Sequence, residues 1–129
     1  MMKSVRSGIG GDSSVFNLKP IETNQIRKDA MSLLLPGEDV VGAFKTIRDQ
    51  VIFTDRRIMV VNVQGIGKKV SYISYPYAKV LHFGIETAGV IDIDSEMTLS
   101  FADGTVLRFD FTLRTNVHEI CRVVSACIL

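Results

Sequence analysis

Between residues 39 and 111 apolar and polar side chains alternate with a period of two, which commits most of the chain to β-strands. Strands are predicted over 40–47 (VVGAFKTI), 50–54 (QVIFT), 58–64 (IMVVNVQ), 68–75 (KKVSYISY), 80–86 (VLHFGIE), 90–101 (VIDIDSEMTLSF) and 106–111 (VLRFDF). Turn-forming residues separate them: Arg48-Asp49, Thr54-Asp55-Arg56-Arg57, Gly65-Ile66-Gly67, Thr87-Ala88-Gly89 and Ala102-Asp103-Gly104. In the later strands Leu81, Phe83 and Ile85 are expected on a buried face, with Val80, His82, Gly84 and Glu86 on a wetter one. Met97, Leu99 and Phe101 likewise oppose Thr98 and Ser100, and Leu107, Phe109 and Phe111 oppose Arg108 and Asp110. One apolar and one wet face per strand is the mark of an antiparallel sheet.

The flanks follow other rules. Residues 1–20, rich in Gly and Ser near the start, are expected to form a flexible arm. A helix is predicted over about 23–35, carried by Ile26, Ala30, Leu33 and Leu34, capped by Thr23 and stopped by Pro36-Gly37. A second helix is predicted over about 116–128, capped by Thr115 or Asn116, with Val117, Ile120, Cys121, Val124 and Ile128 on one apolar stripe. The expected architecture is therefore mainly β. Seven antiparallel strands form two orthogonal sheets or a partly open barrel, closed by the C-terminal helix, with an extra N-terminal helix.

The 129 residues suit one domain, here 21–129, with 47% apolar residues to supply its core. A net charge of +1 argues against a polybasic nucleic-acid binder. Cys121 and Cys127 stand six apart on one helix, about 120° around its axis, and cannot bridge. Residues 1–16 contain no apolar stretch of signal-peptide length, and no run approaches a membrane span, so a cytoplasmic protein with reduced thiols is expected.

The order of elements resembles the pleckstrin-homology (PH) superfold, and several strings resemble its bacterial single-domain branch. They are Leu34-Leu35-Pro36-Gly37-Glu38, Arg48-Asp49, Phe53-Thr54-Asp55-Arg56-Arg57, Gln64-Gly65-Ile66-Gly67-Lys68-Lys69, Tyr75-Pro76-Tyr77, Glu86-Thr87-Ala88-Gly89 and Asp92-Ile93-Asp94, spanning about residues 21–128. The resemblance implies ring-like homo-oligomers, a binding or assembly role, and no established enzymatic activity; it names no ligand.

Many PH domains hold phosphoinositides with a Lys in the first strand and further basic residues across the next loop. Lys45 and Arg48 match that pattern in part, but Asp49 and Gln50 follow, and the loop is short for wrapping a head group. Arg56 and Arg57 add charge from the next turn, where a solvated hairpin edge is the simpler reading. Asp92, Asp94 and Glu96 alternate along one strand, and such carboxylates splay instead of converging on a cation. Gly65-Ile66-Gly67-Lys68-Lys69 lacks Walker spacing, and no zinc spacing or nucleophile elbow is present. His82 is read as a structural or interface residue and His118 as an exposed one. Tyr72, Tyr75 and Tyr77 interleave with Lys68, Lys69 and Lys79, yet no stripe of charge accompanies them for nucleic acid.

No catalytic, cofactor or metal residue is thus assigned. Residues 36–86 carry seven basic and five acidic side chains, and residues 87–129 three and six, a polarity that favours contact between copies. The expected protein is a self-associating, non-enzymatic module that mediates protein–protein interaction. Lys45, Arg48, Arg56, Arg57, Tyr75 and Tyr77 are its candidate partner or lipid contacts. The alternatives are a peripheral module binding anionic lipid head groups through Lys45, Arg48, Arg56 and Arg57, and a small-molecule site or enzyme.

Overall fold

The structure, a computed structural model, describes residues 13–65, 69–87, 95–112 and 117–129. Eight strands form one curled sheet: β1 (Ser13–Pro20), β2 (Val40–Lys45), β3 (Asp49–Thr54), β4 (Arg57–Gln64), β5 (Lys69–Pro76), β6 (Val80–Thr87), β7 (Ser95–Phe101) and β8 (Val106–Phe111). Their spatial order is β5-β4-β3-β2-β1-β8-β7-β6. Helices α1 (Lys28–Met31) and α2 (Val117–Ile128) complete the described elements, with 3₁₀ turns at Thr23–Gln25 and Tyr77–Lys79.

The added strand is β1, on residues assigned by sequence to the arm. It runs parallel to β8 from Ser13↔Val106 to Leu18↔Phe111, and meets β2 only at Lys19↔Lys45 and Pro20↔Phe44. Two sets of strands that would otherwise stand as separate sheets are joined by it. Among the described side chains of β1, Phe16 and Leu18 point into the core, too short a pattern to stand out beside glycine and serine. The predicted helix over 23–35 also breaks up. A 3₁₀ turn begins it, capped by Glu22 rather than Thr23; Ile26 is extended, and α1 lasts one turn.

Both faces of the sheet are used. On the concave side Phe16, Phe44, Phe53, Phe109 and Phe111 pack together, with Phe53 edge-on to Phe44 and Phe109 at 5.6 and 5.2 Å. Val117, Ile120 and Val124 of α2 close one end of this core, so the predicted apolar stripe is the buried one. On the convex side Ile26 and Ala30 cover Ala43, Ile52, Met59 and Val61. Burial on two faces explains why β3 and β4 read as nearly continuous apolar runs.

The predicted alternation holds in β7 and β8, where Met97, Leu99, Phe101, Leu107, Phe109 and Phe111 are buried. It fails in β6. The register shifts between Val80 and His82, which buries Val80 and leaves Leu81 65% and Ile85 38% exposed, with Phe83 half-buried. The cause is position: among the described residues β6 is the last strand of the sheet and has a neighbour on one side only.

Candidate functional site

Three of the strings that carry the PH resemblance meet at one place. Gly37, in the left-handed region at φ 80°, turns the chain so that Glu38 enters the sheet edge, and its carboxylate is fully buried. Arg57 grips it with two hydrogen bonds, Nη2 to Oε1 at 2.7 Å and Nε to Oε2 at 2.8 Å. The Thr54 hydroxyl donates to Oε2 at 2.6 Å, and the Leu35 amide to Oε1 at 2.9 Å. These donors hold the Glu38 carboxyl at about 2, below its ordinary 4.5: the Arg57 bonds dominate, burial opposes them, and Thr54 and Leu35 add to them.

Arg57 also donates to the Leu33 carbonyl and to Ser74 Oγ, each at 3.0 Å. The Tyr77 hydroxyl donates to the Thr54 carbonyl at 2.8 Å, and burial pushes that phenol far above its usual range. This latch ties the N-terminal segment, the β3–β4 turn and the end of β5 together.

Two of the predicted contact residues therefore belong to the latch. Tyr77 is 1% exposed and offers no surface to a partner. Arg57 spends its guanidinium on Glu38, Leu33 and Ser74, and is no free cation for a phosphate. Glu38 does not stand out in the sequence because Pro36-Gly37 reads as a helix stop; the signal is a Pro-Gly turn delivering an acid that an Arg nineteen residues later could meet.

The remaining candidates do not converge. Lys45 and Arg48 are exposed at the β2–β3 hairpin, and Arg56 is exposed in the β3–β4 turn. These turns lie at opposite ends of the six-residue β3, on the order of 20 Å apart. Tyr75 is half-buried with its ring 5.6 Å from that of Phe101. Beside the β2–β3 hairpin, where β1 and β2 part, opens a cleft of about 590 Å³ lined by Val15, Phe16, Thr46, Arg48, Asp49 and Asn62. The Asn62 amide donates to the buried Asp49 carboxylate at 2.6 Å, so the floor of the cleft presents an acid below the hairpin's cations.

On the convex face of β6, β7 and β8, Glu86 lies opposite Glu96 and Glu96 opposite Asp110. Burial, a hydrogen bond with Asp110 and the charges of Asp110 and Glu86 raise the Glu96 carboxyl, with Arg108 opposing them. Among the described residues no three His, Cys, Asp or Glu side chains are grouped to hold a metal ion. Asp92 and Asp94, Lys68, and the cap at Thr115 or Asn116 lie outside the described residues. Cys121 and Cys127 are free thiols. No described helix is long and apolar enough to cross a membrane.

With this geometry in place, comparison with known proteins gives the class. The chain matches the bacterial PH domain family over residues 10–128, and it belongs to that family. It is 36% identical over 118 residues to the uncharacterized protein YjqA of Bacillus subtilis (strain 168), covering 89% of this chain and 94% of that one. The uncharacterized protein YozO of the same organism is 29% identical over 98 residues, covering 76% and 85%. Among solved structures, a DUF1696 family protein with a pleckstrin-homology domain from Shewanella loihica PV-4 superposes with a TM-score of 0.64 at 30% identity, covering 88% of this chain and 99% of that one. A pleckstrin-homology domain from Shewanella amazonensis SB2B gives 0.58 at 32% identity, covering 84% and 90%.

Proposed function

We propose that this bacterial PH domain is a non-enzymatic assembly module of the cytoplasm that associates with itself and offers a sheet edge to a protein partner. The observation that carries this reading is β6, an outermost strand exposing Leu81 and Ile85 beside an open row of backbone groups. Main-chain pairing at such an edge supplies affinity, and the side chains beside it supply selectivity. Lys45, Arg48, Arg56 and Tyr75 stay candidate contacts, at separate places on the domain.

The lipid-binding alternative is weakened by the distance between Arg48 and Arg56 and by the engagement of Arg57. Flotation with vesicles containing anionic lipid separates the two readings. The assembly module stays at the bottom of the gradient with or without Arg48→Glu. A lipid reader floats, loses binding as salt rises, and loses it with Arg48→Glu.

A further inference from the structure

We infer that the split between β1 and β2 is a slot for a short, extended, acidic peptide of a protein partner, which pairs with the free edge of β1. This inner edge is separate from the outer one at β6 and does not depend on it.

The split follows from the backbone. β1 has β8 beside it from Ser13 to Leu18, but β2 only at Lys19 and Pro20. The Leu18 carbonyl accepts from the Thr112 amide at 3.2 Å, so Leu18 and Phe16 turn their backbone groups towards β8. Alternate residues turn theirs the other way. On that other side Lys19 meets Lys45, and the Ile21 amide donates to the Ala43 carbonyl at 3.0 Å. Val15 and Asn17 meet no described strand there. The chain has already turned back at Thr46, whose amide donates to the Asp49 carbonyl at 2.9 Å. The N–H and C=O groups of both residues therefore face the cleft of about 590 Å³ between β1 and the β2–β3 hairpin.

The surroundings select the occupant. Phe16, Leu18 and Phe44 belong to the concave core, which puts Val15, Asn17, Lys19 and Lys45 on the convex face. A strand laid along β1 in line with β2 sets one side chain opposite Phe16, over the cleft, and its two neighbours opposite Val15 and Asn17 on the convex face. Lys19 and Lys45 lie directly opposite each other on that face, and both are exposed. Like charges so placed repel. Among the described residues neither lysine, nor Arg48 at the hairpin, makes an ion pair. A peptide acid opposite Asn17 is the diagonal neighbour of Lys19 and follows Lys45 along its own line, so it relieves that repulsion. Asp49 lies on the concave side with Val51, bonded to Asn62, and so stands under the apolar position of the peptide and away from the acidic ones. Val15, 46% exposed, gains cover. Main-chain pairing supplies affinity here and the lysines supply the choice of an acidic sequence.

The test is fluorescence anisotropy of the full chain with two labelled peptides, one alternating glutamate with valine and one alternating lysine with valine. The glutamate peptide should bind saturably and the lysine peptide should not. Asn17→Pro removes an edge N–H that β8 does not use, so it should abolish binding and leave the circular dichroism unchanged. Lys19→Glu combined with Lys45→Glu should reverse the choice, the lysine peptide then binding about tenfold more tightly than the glutamate one. Equal binding of both peptides, no saturable binding, or binding unmoved by Asn17→Pro in a folded chain overturns the slot. A choice unmoved by the double reversal overturns it even where Asn17→Pro fails to fold. So does exclusion of the peptide by vesicles of anionic lipid, which would assign the lysines to a membrane. All of these readouts are independent of the solution mass of the unaltered chain, so failure of the slot is distinct from failure of the proposed self-association.

Discussion

Replacing Glu38 by Gln keeps the shape of the side chain and removes the charge that Arg57 grips. A carboxyl held at about 2 in the fold and 4.5 outside it contributes about 3.5 kcal/mol of pH-dependent stability, at 1.4 kcal/mol for each tenfold change. Some water reaches Arg57, whose side chain is 18% exposed, so the gap between the two proteins at pH 7 should be about 2–3 kcal/mol. The sign is fixed by proton counting. Between pH 4.5 and 2 the unfolded chain binds a proton that the folded chain refuses, so this contribution is full above 4.5 and lost on acidification towards 2. Glutamine has no such proton. Urea unfolding of both proteins at a series of pH values should therefore show curves well separated at pH 7 that converge near pH 2. Other carboxylates titrate in both proteins, and their contribution drops out of the difference. A gap that stays constant with pH, or widens on acidification, refutes the charged latch.

Two further outcomes follow from the same packing. Tyr77→Phe removes the donor to the Thr54 carbonyl and should cost about 1–2 kcal/mol in urea unfolding. It should also flatten the loss of stability that burial of a neutral phenol predicts above pH 10, and an unchanged alkaline limb would exclude that role. Gly42 sits where a Cβ would come 3.1 Å from Phe44 and 3.5 Å from Ile120, so Gly42→Val should cost about 1–3 kcal/mol by pressing on β2 and α2, and wild-type stability would show that α2 does not close the core there.

The fold was legible wherever one face of an element is wet. The β7–β8 hairpin and the stripe of α2 announce themselves because Arg108, Thr98 and Glu119 alternate with buried neighbours. β3 and β4 were placed correctly despite weak alternation, since the turns beside them mark their ends. β1 is hard to read from the sequence because its apolar signal is short, Phe16 and Leu18, and its main partner, β8, begins far along the chain at Val106. The short α1 was overestimated because Ile26, Ala30 and Leu34 reach one apolar surface without a continuous helix. In β6 the alternation is real and its apolar face is the concave one, where Phe83 and Ile85 lie opposite Leu99 and Met97, but nothing in it signals that an outermost strand leaves that face only partly covered. The latch was harder still. Glu38, Thr54, Arg57 and Tyr77 are ordinary surface residue types until three turns bring them together, so Arg57 and Tyr77 read as contacts for a partner when they are contacts for the chain itself.

The account as a whole is tested most directly by the mass of the full chain in solution. Size-exclusion chromatography with light scattering at micromolar concentration should give twice the single-chain mass or a larger multiple, falling on dilution. A particle of single-chain mass at every concentration would contradict it.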